Sequence, residues 1–307
     1  MPEETARVGD VELAYETFGD PSGPALLLVM GLATQMLGWR EAFCAQLAER
    51  GFFVVRYDNR DVGRSTKFSA HPPPSVAQLL RRDKRAAAYT LADMADDGVG
   101  VLDHLGIARA HVVGASMGGM IAQTMAIRHP ERVLSLVSIM SNTGARWTGQ
   151  PSLRLYSVLV KRAPRDRDGF VEHNMEVFRR IGSPGFPRDE DDLRQMATRS
   201  WHRGYDPAGA GRQLAAILAS GDRTEQLRSI RAPTLVVHGT ADKLVAPSGA
   251  RATANAIPGA RLLQIPGMGH DLPRGAWPRI IDAIAENAAR AGAAGAEPAR
   301  ATGATRA

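Results

Sequence analysis

Six short, largely apolar runs constrain the fold of this chain more than any other feature: Pro24 to Met30, Phe52 to Tyr57, Ala110 to Val113, Leu134 to Met140, Thr234 to Gly239 and Arg261 to Pro266. A strand with one wet face alternates apolar and polar residues. A near-continuous apolar strand is covered on both sides, as in a parallel sheet between two layers of helices. Helical spacing fills the gaps, notably from Leu91 to His104, which stops at Gly106. Val11 to Glu16 does alternate and reads as an antiparallel edge strand. The pattern predicts an α/β fold with a mostly parallel central sheet flanked by helices.

Strand signals vanish between residues 142 and 227, where amphipathic segments around Leu153–Lys161, Phe170–Ile181, Asp191–Arg203 and Gly211–Ser220 replace them. Gly182 to Pro187 reads as a turn between two of these helices. The expected organisation is a core domain from 1–141 and 228–290, a helical lid from 142–227, and a disordered tail from 291–307 that lacks large apolar residues. No internal repeat is present.

Composition excludes several function classes. Hydrophobic residues make up 44% and charged residues 23%, yet no apolar run approaches the roughly 20 residues that span a bilayer. No membrane partner is expected. The net charge of +6 comes mostly from arginine, clustered at Arg81–Arg85 and Lys161–Arg165 without interleaved aromatics, so solvated helix faces are expected and nucleic acid is not. The opening residues Met1 to Thr5 are acidic and polar, unlike a secretory signal. One cysteine, Cys44, forms no internal disulfide and agrees with a reducing, cytoplasmic setting. Its helical apolar surroundings predict core packing. A homodimer is compatible with this composition.

Chemistry enters at Gly114-Ala115-Ser116-Met117-Gly118, placed between the strand Ala110–Val113 and a helical pattern from Gly119 to Ala126. Glycines without Cβ permit a sharp turn that holds Ser116 in a strained backbone and packs the helix close to the strand. A serine hydroxyl needs a base beside it and a third group to orient that base. Asp242 and His270 each follow a predicted strand, and the order Ser, Asp, His suits a strand-elbow nucleophile. Loops at the carboxyl ends of parallel strands converge. Asp222 ends a lid helix and Asp271 adjoins the base, so both are weaker candidates than Asp242. Ser141 and Asn142 offer no carboxylate after the preceding strand. His111 and His238 lie inside strands, His104 and His129 on helices, and His71 precedes three prolines; these histidines are expected to be structural.

A tetrahedral intermediate requires donors for its oxyanion. The backbone N–H groups of Met117, at a helix N-terminus, and Leu32, after the first buried strand, are the candidates. Met36, Trp39, Met117, Met140, Trp147, Trp201 and Tyr205 are candidates for substrate-pocket walls, because such sites are lined by apolar and aromatic groups, and each equally fits lid or core packing. Asp58 to Ser65 is expected to be a structural turn supporting the site.

Taken together, these residues resemble the α/β-hydrolase fold superfamily, in its lid-bearing esterase branch. Leu26 to Gly31, Arg56 to Thr66 and Ile265 to Pro273 are similar to stretches of the aclacinomycin methylesterase-like serine esterases, which remove a methyl ester from an aromatic polyketide and need no cofactor. Those esterases carry glycine where this chain has Leu32. The resemblance implies a serine carboxylic-ester hydrolase, a carboxylesterase or methylesterase, acting on a small or medium apolar ester without metal or cofactor. Lactonase, thioesterase, acyltransferase and cofactor-free perhydrolase activities use the same triad. A ligand receptor on the same fold is the alternative of another class, and dehalogenases and epoxide hydrolases of this fold place a carboxylate where Ser116 stands.

Overall fold

A computed structural model describes residues 3–81, 83–155 and 164–295. Part of the helix expected over 153–161, part of the basic clusters, and residues 296–307 of the expected tail lie outside the described residues.

The sheet contains β1 (Glu4–Val8), β2 (Val11–Phe18), β3 (Ala25–Val29), β4 (Phe53–Tyr57), β5 (Ala110–Ala115), β6 (Val133–Ile139), β7 (Thr234–Gly239) and β8 (Arg261–Ile265). Their spatial order is β1-β2-β4-β3-β5-β6-β7-β8. β1 and β2 pair antiparallel with each other, and β2 pairs antiparallel with β4. All later pairings are parallel. The doubly apolar runs β3, β4, β5 and β7 are buried at every residue. β8 is the exception, because it closes the sheet and leaves Arg261 and Leu262 exposed.

Successive residues of one strand feed opposite cores, which is why these runs do not alternate. Leu27, Val29, Val55 and Val112 pack under the helices Leu91–His104 and Met117–Arg128, against Met94, Leu102, Met120 and Ile121. Leu26, Leu28, Val54 and Val113 pack on the other face against Phe43 of α1 (Glu41–Glu49) and Trp277, Ile280 and Ile284 of the last helix. Thr90 and Asp93 form a reciprocal capping box that starts Leu91–His104.

Because β3 lies between β4 and β5, the winding of the chain reverses beside it. A crevice opens at such a switch point, outside the carboxyl ends of the strands. The loop after β3 carries Leu32 and the loop after β5 carries Ser116.

Between β6 and β7 the described residues include three long inserted helices, Arg167–Ile181, Glu190–Gly204 and Pro207–Ser220. Asp166, Asp189 and Asp206 each cap one of them through a side-chain oxygen. Two buried ion pairs tie the insertion to the sheet domain: Arg203 to Asp58 at 2.9 Å and Arg212 to Asp61 at 2.7 Å. The tail expected from residue 291 is helical through Gly295, since the terminal helix Trp277–Gly295 continues past its buried stripe of Ile280, Ile281, Ile284 and Ala288. Among the described residues, no helix is long and apolar enough to cross a membrane.

Candidate active site

The strand β5 ends in a backbone that only a sharp turn produces. Ser116 has φ 55° and ψ −119°, in the left-handed half of conformational space, at a cost of about 1–3 kcal/mol that the surrounding packing must sustain. Its N–H donates to Ile139 O at 2.9 Å, and its carbonyl accepts from Gly119 N–H at 2.9 Å. No side chain fits around it: a Cβ on Gly114 would lie 2.7 Å from Gly119 N, and one on Gly118 would lie 2.8 Å from Met30 O. The pentapeptide needs glycine at both ends because backbone passes on both sides.

The loops after β5, β7 and β8 bring three side chains into one line. His270 Nδ1 lies 2.7 Å from Asp242 Oδ2, and His270 Nε2 lies 2.9 Å from Ser116 Oγ. An ionised carboxylate only accepts, so Nδ1 carries the ring proton and Nε2 accepts from the serine hydroxyl. Asp242 Oδ1 is occupied by the N–H groups of Leu244 at 2.8 Å and Val245 at 2.9 Å, which leaves Oδ2 for the imidazole. Asp242 and His270 are buried while Ser116 is half-buried. The arrangement keeps the base dry and the hydroxyl reachable.

Two neighbours refine this picture. His238, wholly buried in β7, donates from Nε2 to Val245 O at 2.8 Å, and the same nitrogen lies 3.5 Å from Asp242 Oδ2. Burial lowers its pKa, which keeps it neutral. It braces the loop that presents Asp242 and is structural, as the strand position implied. Asp271 turns away from the line: its carboxylate accepts from the Ser183 hydroxyl, and burial raises its pKa. Asp222 accepts from Thr224 N–H at 2.9 Å at the start of a short helix. The His270 backbone N–H donates to Ile181 O at 2.7 Å, so the inserted helix Arg167–Ile181 also anchors the histidine loop.

Met117 opens the helix after Ser116, where the first N–H groups have no intrahelical acceptor and the helix dipole favours negative charge. The loop after β3 passes directly over the serine, since a Cβ on Gly31 would lie 3.1 Å from Ser116 Cβ and 3.6 Å from its Oγ. Leu32 is next in that loop. The turn from Asp58 to Ser65 supports it from beneath: Asp58 Oδ1 accepts from Met36 N–H at 2.7 Å, and Asn59 Nδ2 donates to Met30 O at 2.9 Å.

The expected pocket walls divide. Trp39 is fully buried and stacks on Phe43 at 5.7 Å, so it belongs to the core, and Met36 is equally buried. Met117 and Met140 are buried at the ends of their elements. Trp147 is 84% exposed under the Arg146 guanidinium and lines no wall, contrary to expectation, because the loop after β6 carries it away from the packed elements. Trp201 and Tyr205 are half-buried and join Phe170 in a cluster of three rings with centroids 4.4 to 5.7 Å apart. Sequence reasoning missed Arg203 and Gln213, which reach from the inserted helices to Asp58 and to the loop after β3. Neither gives a signal, because long polar residues on amphipathic helices normally face water. Among the described residues, no group of histidine, cysteine and acidic side chains is placed to hold a metal ion.

The chain is similar to known proteins along most of its length. A family profile described as the alpha/beta hydrolase fold matches residues 24–273. Rhodomycin D methylesterase from Streptomyces peucetius is 31% identical over 297 residues, covering 89% of this chain and 93% of its own. A 3-oxoadipate enol-lactonase from Acinetobacter baylyi is 28% identical over 239 residues, covering 78% and 79%. Among solved structures, a thermophilic esterase from Thermogutta terrifontis superimposes with a TM-score of 0.71 at 25% identity, covering 95% of this chain and 99% of that one.

Proposed function

Given that the chain belongs to the α/β-hydrolase fold family and is an ester hydrolase, we propose that Ser116, His270 and Asp242 cleave a carboxylic ester through an acyl-enzyme. The observation that carries this reading is the unbroken line from Asp242 Oδ2 through His270 to Ser116 Oγ, at 2.7 and 2.9 Å. Ser116 Oγ attacks the ester carbonyl as His270 Nε2 takes its proton. Asp242 holds the imidazole in that tautomer and stabilises the imidazolium. The oxyanion forms against the N–H groups of Met117 and Leu32. Collapse breaks the ester C–O bond, and His270 returns the proton to the departing alcohol. Water, activated by the same imidazole, then releases the acid and restores Ser116.

A relative and the composition of the inserted helices support a substrate class. Resemblance to a methylesterase over most of both chains favours a methyl ester. On this reading the inserted helices act as a cap, and their half-buried rings Phe170, Trp201 and Tyr205, clustered on one another, offer an apolar, aromatic contact for the body of such an ester. The enol-lactonase relative supports a second reading, the opening of a lactone by the same three groups. A reducing, cytoplasmic setting suits the lone buried Cys44.

Purified protein assayed against methyl esters, longer alkyl esters and lactones tests both readings. Methyl esters with an apolar acid are expected to be turned over fastest, and a clear preference for lactones favours the second reading. Ser116→Ala is expected to lower kcat by about 10⁴- to 10⁶-fold and to abolish labelling by a fluorophosphonate. A loss below about tenfold refutes the nucleophile assignment.

A further inference from the structure

Gln213 lies on the inserted helix Pro207–Ser220 and is fully buried. Its Oε1 accepts from Ala33 N–H at 2.8 Å, and its Nε2 donates to Arg60 O at 2.8 Å. Both partners are backbone groups, 180 and 153 positions away along the chain. One is a donor and the other an acceptor, so the orientation of the amide is fixed by chemistry.

Ala33 immediately follows Leu32 and has φ 56°, a left-handed backbone that an alanine holds only when its surroundings impose it. The peptide unit joining Leu32 to Ala33 is pinned at both ends. Leu32 O accepts from the Thr34 hydroxyl at 3.1 Å, and Ala33 N–H is taken by Gln213. A second glutamine clips the same loop: Gln35 Nε2 donates to Ser200 O at 2.7 Å and Gly204 O at 3.1 Å, on the inserted helix Glu190–Gly204. The loop that passes over Ser116 is therefore held from the inserted helices as well as from the turn below it.

We propose that Gln213 is a positioning residue for transition-state stabilisation: its hydrogen bond to Ala33 N–H fixes the strained Leu32–Ala33 backbone and aims the Leu32 N–H at the developing oxyanion. The inference rests on the triad mechanism above and extends it to the inserted helices. Gln213 does not touch the ester. Its loss lets Ala33 relax toward an ordinary backbone and swings the neighbouring donor off target.

A merely structural glutamine would change stability alone, so the test reads transition-state binding. Gln213→Met keeps the volume and removes both hydrogen bonds. With p-nitrophenyl acetate, kcat is expected to fall about 10- to 100-fold with KM changed by less than about threefold, as for a misaimed oxyanion donor. Benzeneboronic acid forms a tetrahedral adduct on Ser116 Oγ with an oxygen in the oxyanion position, and its affinity is expected to fall by the same factor as kcat/KM. If Gln213→Met does not fold, Gln213→Asn serves, because its amide stops one methylene short of Ala33 N–H. Unchanged kcat, or kcat that falls while boronate affinity stays constant, overturns the proposal. If Ser116→Ala abolishes turnover while Gln213→Met leaves it intact, this inference fails alone; if Ser116→Ala stays active, the triad mechanism fails first.

Discussion

Asp242→Asn removes one charge and almost no volume, and the structure dictates which way the new amide points. Oδ1 of Asp242 accepts two backbone N–H groups, from Leu244 at 2.8 Å and Val245 at 2.9 Å. Only the amide oxygen of asparagine satisfies them, so its NH₂ must face His270 Nδ1, where Oδ2 now lies at 2.7 Å. Nδ1 must then accept, the ring proton moves to Nε2, and a donor confronts Ser116 Oγ in place of a base. The wrong tautomer of a triad histidine costs about 10⁴ in kcat, or about 5.4 kcal/mol of barrier at 1.36 kcal/mol per decade. His238 worsens the fit, because its Nε2–H lies 3.5 Å from the same carboxylate oxygen and is committed to Val245 O. Steady-state hydrolysis of p-nitrophenyl acetate, with thermal melting to show that the variant is folded, makes the measurement. A folded variant retaining more than about a tenth of wild-type kcat refutes the tautomer argument.

Three further outcomes concern stability. Gly118→Ala places a Cβ 2.6 Å from Val29 C and 2.8 Å from Met30 O, both backbone, and is expected to lower unfolding free energy by at least about 2 kcal/mol in urea titration. Arg212→Met strands the fully buried Asp61 carboxylate, whose low pKa reflects hydrogen bonds from Arg212 and Tyr89 that outweigh its burial; a loss of about 3–5 kcal/mol is expected by the same titration. Burial lowers His111 from 6.5 to about 4. Between those values the unfolded chain takes up a proton that the folded one refuses, so stability falls as pH drops from 6.5 toward 4, by up to about 3 kcal/mol. His111→Gln is expected to flatten that part of the pH profile.

Much of the fold was legible because burial on both faces forces runs such as Leu26–Val29 and Val112–Val113 to be apolar throughout. The candidate site was legible in its skeleton for a related reason: residues 116 and 242 follow such strands and residue 270 follows the edge strand β8, and the carboxyl ends of these parallel strands meet. Other residues hid their roles. Trp39 and Trp147 look alike in sequence, yet one is sealed in the core and the other is 84% exposed, since nothing local records which way a loop leaves a strand. Arg203, Arg212 and Gln213 read as the polar face of amphipathic helices, and their partners Asp58, Asp61 and Ala33 lie far away in sequence. The terminal helix persists through Gly295, beyond residue 291, because alanine propagates a helix that Ile280, Ile281 and Ile284 have already docked.

The hydrogen-bonded line spans 28 residues on one side and 154 on the other, and the clip on Ala33 closes over 180. No local fragment contains a working centre. During refolding from denaturant, far-UV circular dichroism is therefore expected to recover first, as helices and strands form, and full turnover only once Pro207–Ser220 docks against the loop after β3. The lag between the two signals times that docking event.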